Sequence, residues 1–255
     1  MPSFKVRTTE DELMDDFSIT DSRLTDALDQ LRWVNQFLGG YTAPMAILKP
    51  LLKAQARANQ SGQAAPVRIL DLGTGIADFP EVIVRWAARQ SPAPQVEIVA
   101  VDANPVTVAY AQKALSDRLP PALLPHIKVE VADALALPYA ENSFDVVMAS
   151  MFLHHFAQEN AIAVVAAMNR IARNGIIIND LQRHPLAYLG IYSLTRILRA
   201  SPMMQNDGPV SVLRGFRANE LAAIAQGAAL PTFSLQWRWA FRWLLSTVTI
   251  GERKS

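Results

Sequence analysis

The segment that most constrains this chain lies at residues 67–78, where an apolar run ends in an acid and then breaks at two glycines. The acid is Asp71, and the glycines are Gly73 and Gly75. Glycine permits backbone angles and close approaches that a β-carbon forbids. A helix is predicted next, and its first amide N–H groups are free to hold a ligand. The segment therefore predicts a strand, a cofactor-binding loop and a helix, in that order.

The acids of this loop restrict the kind of cofactor. A dinucleotide-binding loop needs a third small residue three positions after the second glycine, so that a pyrophosphate can approach the helix. That position holds Asp78, whose carboxylate repels a diphosphate. Asp71 adds a second acid at the strand end, which favours a ligand that carries positive charge. A nucleotide-binding loop of another kind, and with it a nicotinamide oxidoreductase, stays open as an alternative.

Three further apolar runs follow at intervals that leave room for helices. They are residues 96–102, which end in Asp102, residues 127–131, which precede Asp133, and residues 144–150, which precede His154. Strands that alternate with helices require a parallel sheet with right-handed crossovers. Ligands of such sheets lie beyond the carboxyl ends of the strands, so we expect these polar residues to meet in one crevice. Asp102 is then placed to accept ribose hydroxyls.

The ordered series of motifs over residues 67–180 resembles that of the class I S-adenosylmethionine (SAM)-dependent methyltransferases. Their first motif is an acid, one residue, glycine, one residue and glycine, as this chain has from Asp71 to Gly75. The resemblance implies SAM as the cofactor, S-adenosylhomocysteine as the product, and a hydrogen bond from the adenine amino group to Asp133. The candidate cofactor-binding residues are Asp71, Gly73, Thr74, Gly75, Asp102, Ala103, Asp133, Ala134, Ser150 and Met151.

Helices are predicted before the first strand. Apolar residues recur at helical spacing over residues 21–38, and a second helix is predicted over residues 44–58. We therefore predict an N-terminal helical cap at residues 1–64 and a SAM-binding core at residues 65–255. The resemblance implies an α/β fold for this core, a doubly wound, seven-stranded, mostly parallel sheet.

The expected helix after the fifth strand is delayed by an insertion. The fifth strand is predicted at residues 175–180, and a helical substrate cap is inserted at about residues 181–215. A turn signal interrupts this cap at residues 207–209. Two last apolar runs, at residues 232–239 and 241–250, predict an antiparallel hairpin that closes the sheet.

Histidines and one aspartate are the candidate catalytic residues. His154 follows the fourth predicted strand and Asp180 closes the fifth, and we expect these strands to be neighbours. A methyl acceptor loses a proton before or as it attacks, and a histidine held by a carboxylate is suited to take it. The placement resembles that of small-molecule O-methyltransferases, with His154 as base and Asp180 as its orienter. His155 and His184 are alternative bases, and packing beside the cofactor is the alternative role of His154 and His155.

The insertion indicates an apolar substrate. Its helix offers an apolar surface beside the crevice, formed by Leu189, Tyr192, Leu194, Ile197 and Leu198. The N-terminal helices are expected to cover the crevice from the other side with Trp33, Phe37 and Tyr41. Such a cap suits a flat or lipid-like molecule. Arg214 and Arg217, near the end of the insertion, could pair with a carboxylate, but solvated surface charge is the favoured interpretation.

These features predict O-methylation of a hydroxyl on an apolar small molecule of phenolic, polyketide or quinone-like type. Residues 132–156 also resemble the quinone-biosynthesis methyltransferases, which share such substrates. C- or N-methylation of a small metabolite is an alternative, and a catalytically inactive SAM-binding partner subunit is an alternative of another class.

Composition excludes other classes of function. The 24 lysines and arginines balance 23 aspartates and glutamates, so the net charge of +1 supplies no field for a nucleic-acid backbone. The chain has no cysteine, which excludes disulfides, thiolate metal sites and cysteine nucleophiles. No carboxylates beyond Asp180, with Asn179 beside it, remain for a metal, and we predict a metal-independent enzyme.

The expected location is the cytoplasm. Residues 1–20 lack a secretory signal pattern, and no apolar run is long enough to span a bilayer. The mean hydropathy of +0.12 is high for a chain of this kind. It indicates an apolar pocket or a buried face in a homodimer.

Overall fold

Seven strands form one sheet in the computed structural model, which describes residues 2–60 and 65–248. The strands are β1 (Val67–Leu72), β2 (Val96–Asp102), β3 (Ile127–Val131), β4 (Val146–Ser150), β5 (Ile176–Leu181), β6 (Ser234–Arg238) and β7 (Arg242–Ser246). Their order across the sheet is β3-β2-β1-β4-β5-β7-β6. The first five strands are mutually parallel, and β7 is antiparallel to β5 and β6. The predicted fold class is confirmed.

Eight α-helices are present among the described residues. They are α1 (Ser22–Phe37), α2 (Thr42–Asn59), α3 (Asp78–Ala88), α4 (Pro105–Arg118), α5 (Gln158–Ile171), α6 (Pro185–Ile197), α7 (Pro202–Arg214) and α8 (Ala218–Gly227). Residue Asn104 caps α4, because its side chain accepts the backbone N–H of Val106 at 2.9 Å. None of the described helices has the length and apolar composition needed to cross a bilayer.

Both faces of the sheet are covered, as its continuously buried strands require. Strand β5 shows this best, since all six of its residues are buried. Helices α2, α3 and α4 pack on one face around Leu48, Ile83 and Ala111. Helices α5 and α8 pack on the other face around Met168 and Leu221. This doubly wound arrangement leaves the carboxyl edge of the sheet for α1, α6 and α7.

The turn predicted at residues 207–209 is wrong, because these residues lie inside α7. Gly208 brings this helix close to α6, since an added β-carbon would meet Cγ1 of Ile191 at 2.9 Å. Asp207 accepts the backbone N–H groups of Leu13 and Met14 at 2.8 and 3.1 Å. Packing between α6 and α7 therefore overrides the local turn signal of an Asp-Gly-Pro sequence.

The division into a cap and a core stays a prediction. Helices α1 and α2 lie where the cap was expected, and α6 and α7 occupy the predicted insertion. The proposed boundary at residues 64 and 65 adjoins residues 61–64, which lie outside the described residues, as do residues 249–255 at the end of the predicted hairpin.

Candidate active site

The loop after β1 has the backbone that its glycines predicted. Gly73 and Gly75 have φ angles of 63° and 54°, in the left-handed region that favours glycine. A β-carbon on Gly73 would overlap the ring of Phe152, which follows β4. The loop therefore needs glycine both for its own turn and for the approach of the β4 loop. A loop packed this closely can bring its backbone amides against a cofactor.

Asp71 is a buried acid with unusual proton affinity. Its side chain accepts the hydroxyl hydrogen of Thr74 at 2.7 Å and is almost fully buried. Burial above all, together with the nearby charges of Asp78 and Asp102, raises the pKa of Asp71 to about 7, although the Thr74 hydrogen bond acts to lower it. A cation placed here would stabilise the ionised carboxylate. Because SAM carries an ammonium and a sulfonium, the residues present fit this cofactor.

Asp102 ties the ends of two neighbouring strands together. Its carboxylate accepts the backbone N–H of Gly75 at 3.1 Å and that of Asn104 at 3.0 Å. Burial raises its pKa. The neighbouring Ala103 is exposed at the same edge. A contact between Asp102 and ribose hydroxyls stays a prediction.

The other candidate cofactor residues occupy the ends of β3 and β4. Asp133 is exposed and accepts the backbone N–H of Leu135 at 2.9 Å, whereas Ala134 is buried. Ser150 accepts a hydrogen bond from the side-chain amide of Asn179 at 2.9 Å. Met151 adopts a left-handed backbone with φ of 57°, which turns the chain sharply after β4. The adenine and methionine roles of these residues stay predictions.

His154 and Asp180 form the pair that the sequence predicts. Nδ1 of the imidazole lies 2.7 Å from a carboxylate oxygen of Asp180, whose second oxygen accepts the His154 backbone N–H at 3.1 Å. The opposite ring nitrogen, Nε2, lies 3.4 Å from Glu12. All three side chains are buried. The imidazole is thus held between two carboxylates.

This arrangement changes the acid–base properties of the histidine. Burial by itself lowers the pKa of His154, but the charges and hydrogen bonds of Asp180 and Glu12 outweigh it and raise the pKa to about 10. The pKa of Asp180 is lowered by His154, and that of Glu12 by His155 and His154, although burial acts against both shifts. At neutral pH the ring is therefore protonated and has no lone pair. A base role stays a prediction, and it requires Glu12 to move away from Nε2.

The N-terminal segment, residues 7–16, lies over the two histidines, a contact that the sequence did not predict. Asp15 pairs with Nδ1 of His155 at 2.8 Å. Arg7 donates to the backbone oxygens of His154 and Phe156 at 2.8 and 3.0 Å. The one available signal was the density of acids between residues 10 and 16, which suits a partner surface of histidine and arginine.

Two side chains of the insertion have partners that the sequence did not indicate, and a base role for His184 stays a prediction. Arg214 is not a solvated charge, because it is 7% exposed and donates to the backbone oxygens of His154 and His155. His184 caps α6, since its Nδ1 accepts the backbone N–H of Leu186 at 3.1 Å. Arg217 is exposed, as expected.

An apolar cavity of about 480 Å³ opens beside the end of β4. Its walls come from α1, α6, α7 and the β6–β7 turn, and they include Leu31, Val34, Met151, Leu181, Leu186, Gly190, Ile191, Leu194, Trp237, Trp239, Phe241 and Arg242. Such a cavity has the size and lining of a small-molecule site.

The predicted walls of this cavity need correction. Leu194 does line it, but Leu189, Tyr192 and Ile197 are 58%, 39% and 77% exposed and face away. Three more side chains that were predicted to cover the cavity are also exposed: Leu198, Trp33 and Phe37. Tyr41 instead donates its hydroxyl hydrogen to Asp78 at 2.5 Å. Helix α6 presents a different face than expected because α7, not the sheet, is its main neighbour.

The known proteins that resemble this chain are methyltransferases. Residues 69–175 match the protein family described as "Methyltransferase domain". A demethylmenaquinone methyltransferase from Roseiflexus sp. (strain RS-1) is 30% identical over 77% of this chain and 83% of that protein. A second, from Deinococcus radiodurans, is 38% identical over 104 residues, and the chain spans 38% of its length.

A solved structure extends the likeness to the whole fold. The O-methyltransferase family protein from Burkholderia thailandensis has a TM-score of 0.58 at 18% identity, over 94% of this chain and 64% of that one. The fold and the cofactor loop therefore define a SAM-dependent methyltransferase. The chain belongs to the class I family of these enzymes, and the predicted cofactor, SAM, is confirmed.

Replacing Asp102 by alanine is expected to weaken SAM binding about tenfold or more, since a hydrogen bond to a charged acceptor contributes about 1.5–3 kcal/mol. Titration calorimetry measures this change, and Asp117→Ala on the exposed end of α4 is the control. Unaltered affinity in the Asp102 variant would remove this residue from the ribose site.

A metal ion has one candidate site among the described residues. Glu12, His154 and His155 offer ligand atoms that lie within 4.8 Å of one another. At the strand ends only Asp180 and Asn179 were expected to remain for a metal, but Glu12 and Asp15 also reach the histidines, from the N-terminal segment. Metal independence stays a prediction.

Turnover is nevertheless expected to survive treatment with EDTA. Asp180, Glu12 and Asp15 already face the ring nitrogens of the two histidines that a metal ion would need, at 2.7, 3.4 and 2.8 Å. The measurement is the rate of methyl transfer before and after chelation and dialysis. Loss of turnover that a divalent cation restores, together with a lower metal content in Glu12→Gln, would contradict this prediction.

Proposed function

We propose that this enzyme transfers a methyl group to a hydroxyl oxygen of an apolar small molecule of phenolic, polyketide or quinone-like type. The observation that carries the proposal is the apolar cavity of about 480 Å³, whose lining includes Met151, next to the predicted cofactor residue Ser150, and the aromatic side chains Trp237 and Trp239. Aromatic and aliphatic walls favour a flat, weakly polar molecule over a sugar phosphate. When bound, SAM supplies an electrophilic methyl group.

His154 is proposed to take the proton of the acceptor hydroxyl, with His155 as the second candidate. Asp180 holds Nδ1 of His154 and so orients Nε2 as the proton-accepting atom. Glu12 now faces that atom at 3.4 Å, and the acceptor hydroxyl would replace it. Leu181, which follows Asp180 in β5, lines the cavity, whereas His154 and His155 line a second pocket with Arg7 and Arg214, so the acceptor hydroxyl must reach Nε2 of His154 past Glu12. Positioning of the acceptor by the rigid cavity walls supplies the rest of the rate.

A quinone-like acceptor receives support from the two relatives, whose names give demethylmenaquinone as the molecule on which they act. C-methylation of such a ring is therefore the second candidate reaction. A cytoplasmic location, a homodimer and the lack of a nucleic-acid partner remain parts of the proposal.

Incubation with labelled SAM and a panel of phenols, polyketides and quinone precursors tests the proposal. Mass spectrometry of the product locates the new methyl group on oxygen or on carbon. Gly190→Phe should lower turnover of the best acceptor at least tenfold, since a β-carbon there meets no atom within 4 Å and the ring would fill the cavity. Leu189→Phe, on the exposed face of the same helix, is the matched control.

Gly190→Phe should lower turnover while its affinity for SAM stays unchanged. Equal turnover in Gly190→Phe, Leu189→Phe and the unaltered enzyme would show that the acceptor binds elsewhere. Methylation of sugars or nucleic acid in preference to the apolar panel would also contradict the proposal.

A further inference from the structure

Arg242, the first residue of β7, is an unusual cation. Its side chain is only 2% exposed, and it heads the fully buried side chains by size. Its Nε donates to the backbone oxygen of Leu38 at 3.2 Å, and Nη1 contacts the sulfur of Met151. No carboxylate of the described residues lies within 4.0 Å of the guanidinium, and Nη2 has no hydrogen-bond partner among them.

Burial of an unpaired charge opposes folding unless something compensates for it. Asp180 supplies part of the compensation from a distance, as its charge acts on Arg242 without contact. Burial lowers the pKa of Arg242 to about 10, so the side chain is still a cation at neutral pH. The strand itself does not require arginine, because the pairing of residue 242 with Leu181 and Arg238 uses the backbone. A bound anion would complete its hydrogen bonds.

The position of Arg242 shows where such an anion would lie. Arg242 is the only charged side chain among the described residues that line the apolar cavity. It stands at the end nearest Met151, and Trp237, Trp239 and Phe241 form the walls beyond it. An apolar molecule in this cavity would therefore meet one cation, close to the end of β4 where methyl transfer is expected.

We propose that Arg242 binds an ionised oxygen of the acceptor, so that the enzyme selects apolar ring compounds that carry an acidic hydroxyl. The free N–H groups of Nη2 donate to that oxygen, and the guanidinium charge favours its anionic form. Arginine suits this role because it stays charged when buried and donates in a fixed plane. The inference rests on the proposed function, in that the cavity holds the acceptor, and it adds which group of the acceptor is recognised.

Two naphthoquinones of similar shape test this inference. 2-Hydroxy-1,4-naphthoquinone is an anion at neutral pH, whereas 1,4-naphthoquinone is neutral. The chain contains no cysteine, so neither probe reacts with a thiol. We expect the unaltered protein to bind the anionic probe about 10- to 100-fold more tightly than the neutral one, as a charged hydrogen bond predicts. Quenching of tryptophan fluorescence at neutral pH, with S-adenosylhomocysteine at saturation, measures both dissociation constants.

Arg242→Met should abolish this preference while leaving the affinity for 1,4-naphthoquinone within a few-fold. Arg242→Lys should restore part of it, which keeps the test valid if the methionine variant folds poorly. Arg196→Met, on the exposed side of α6, is the control and should bind both probes normally.

The possible outcomes distinguish a failure of this inference alone from a failure of the proposed function. Equal binding of the two probes by the unaltered protein, or a preference that persists in Arg242→Met, would overturn the role of Arg242 alone. Binding that Gly190→Phe does not weaken would place the probes outside the cavity and overturn both. The same conclusion follows if neither probe binds the unaltered protein.

Discussion

Replacing His154 by alanine is expected to lower turnover by about 10²–10⁴-fold, the usual contribution of a general base. The affinity for SAM should change only a few-fold, because the predicted cofactor contacts come from other residues of the loops after β1, β2, β3 and β4 and not from the His154 ring. Asp180→Asn should lower turnover less, since the imidazole itself remains. Initial rates of the purified variants measure both effects, with circular dichroism to confirm that each is folded.

The pH dependence of the rate distinguishes a base from a structural ion pair. With a pKa of about 10, His154 is almost fully protonated at pH 7, so a base mechanism predicts a rate that rises with pH toward 10. The sequence alone predicts this rise near the ordinary pKa range of histidine, and the two flanking carboxylates explain the difference. Glu12→Gln removes one of them, and it should lower that pKa and raise the rate at pH 7.

The control for this experiment is Glu10→Gln, which removes an exposed acid of the same N-terminal segment. Its pH profile should match that of the unaltered enzyme. A His154→Ala enzyme with nearly full turnover at neutral pH would leave positioning of the acceptor as the main source of rate. An unshifted pH profile in Glu12→Gln would show that Nε2 of His154, the ring nitrogen that faces Glu12, does not take the proton.

The second large effect concerns stability. Asp180→Asn should lower the free energy of unfolding by about 3–5 kcal/mol, because removal of one partner leaves a buried imidazolium without its closest anion. Asp180 is fully buried, and its charge also acts on Arg242 and Arg7. Urea unfolding at pH 7 measures the change. The exposed substitution Glu10→Gln should stay within about 0.5 kcal/mol, and a similarly small change in Asp180→Asn would contradict the assigned ion pairs.

The same network predicts how stability depends on pH. The folded-state pKa of His154 lies above its unfolded value of 6.5. The contribution of the protonated ring is therefore fully present below pH 6.5, and it is lost as pH rises through about 10. In Asp180→Asn this alkaline loss should be much smaller, because the pKa of the ring then lies nearer its ordinary value.

Local sequence patterns determined the sheet and the cofactor loop. Continuous apolar runs produced the buried parallel strands, with ends that differ from prediction by about two residues, as is usual for such assignments. Gly73 and Gly75 predicted the left-handed turn because only a residue without a β-carbon adopts it freely. The pairing of His154 with Asp180 was also predictable, since parallel strands bring their carboxyl ends to one edge.

Only the tertiary structure decided which charges surround the histidines and the cavity. Asp15 contacts His155 across 140 residues of sequence, and Arg214 reaches the same loop from α7. Arg242 has no local pattern that marks it as buried, because its environment is built by α1, β4 and the β6–β7 turn. Periodicity reports which residues of one element share a face, whereas the contacts that shift a pKa or bury a charge come from distant elements. The strands and the cofactor loop therefore follow from local sequence, whereas the electrostatics of the site arise only when the chain is packed.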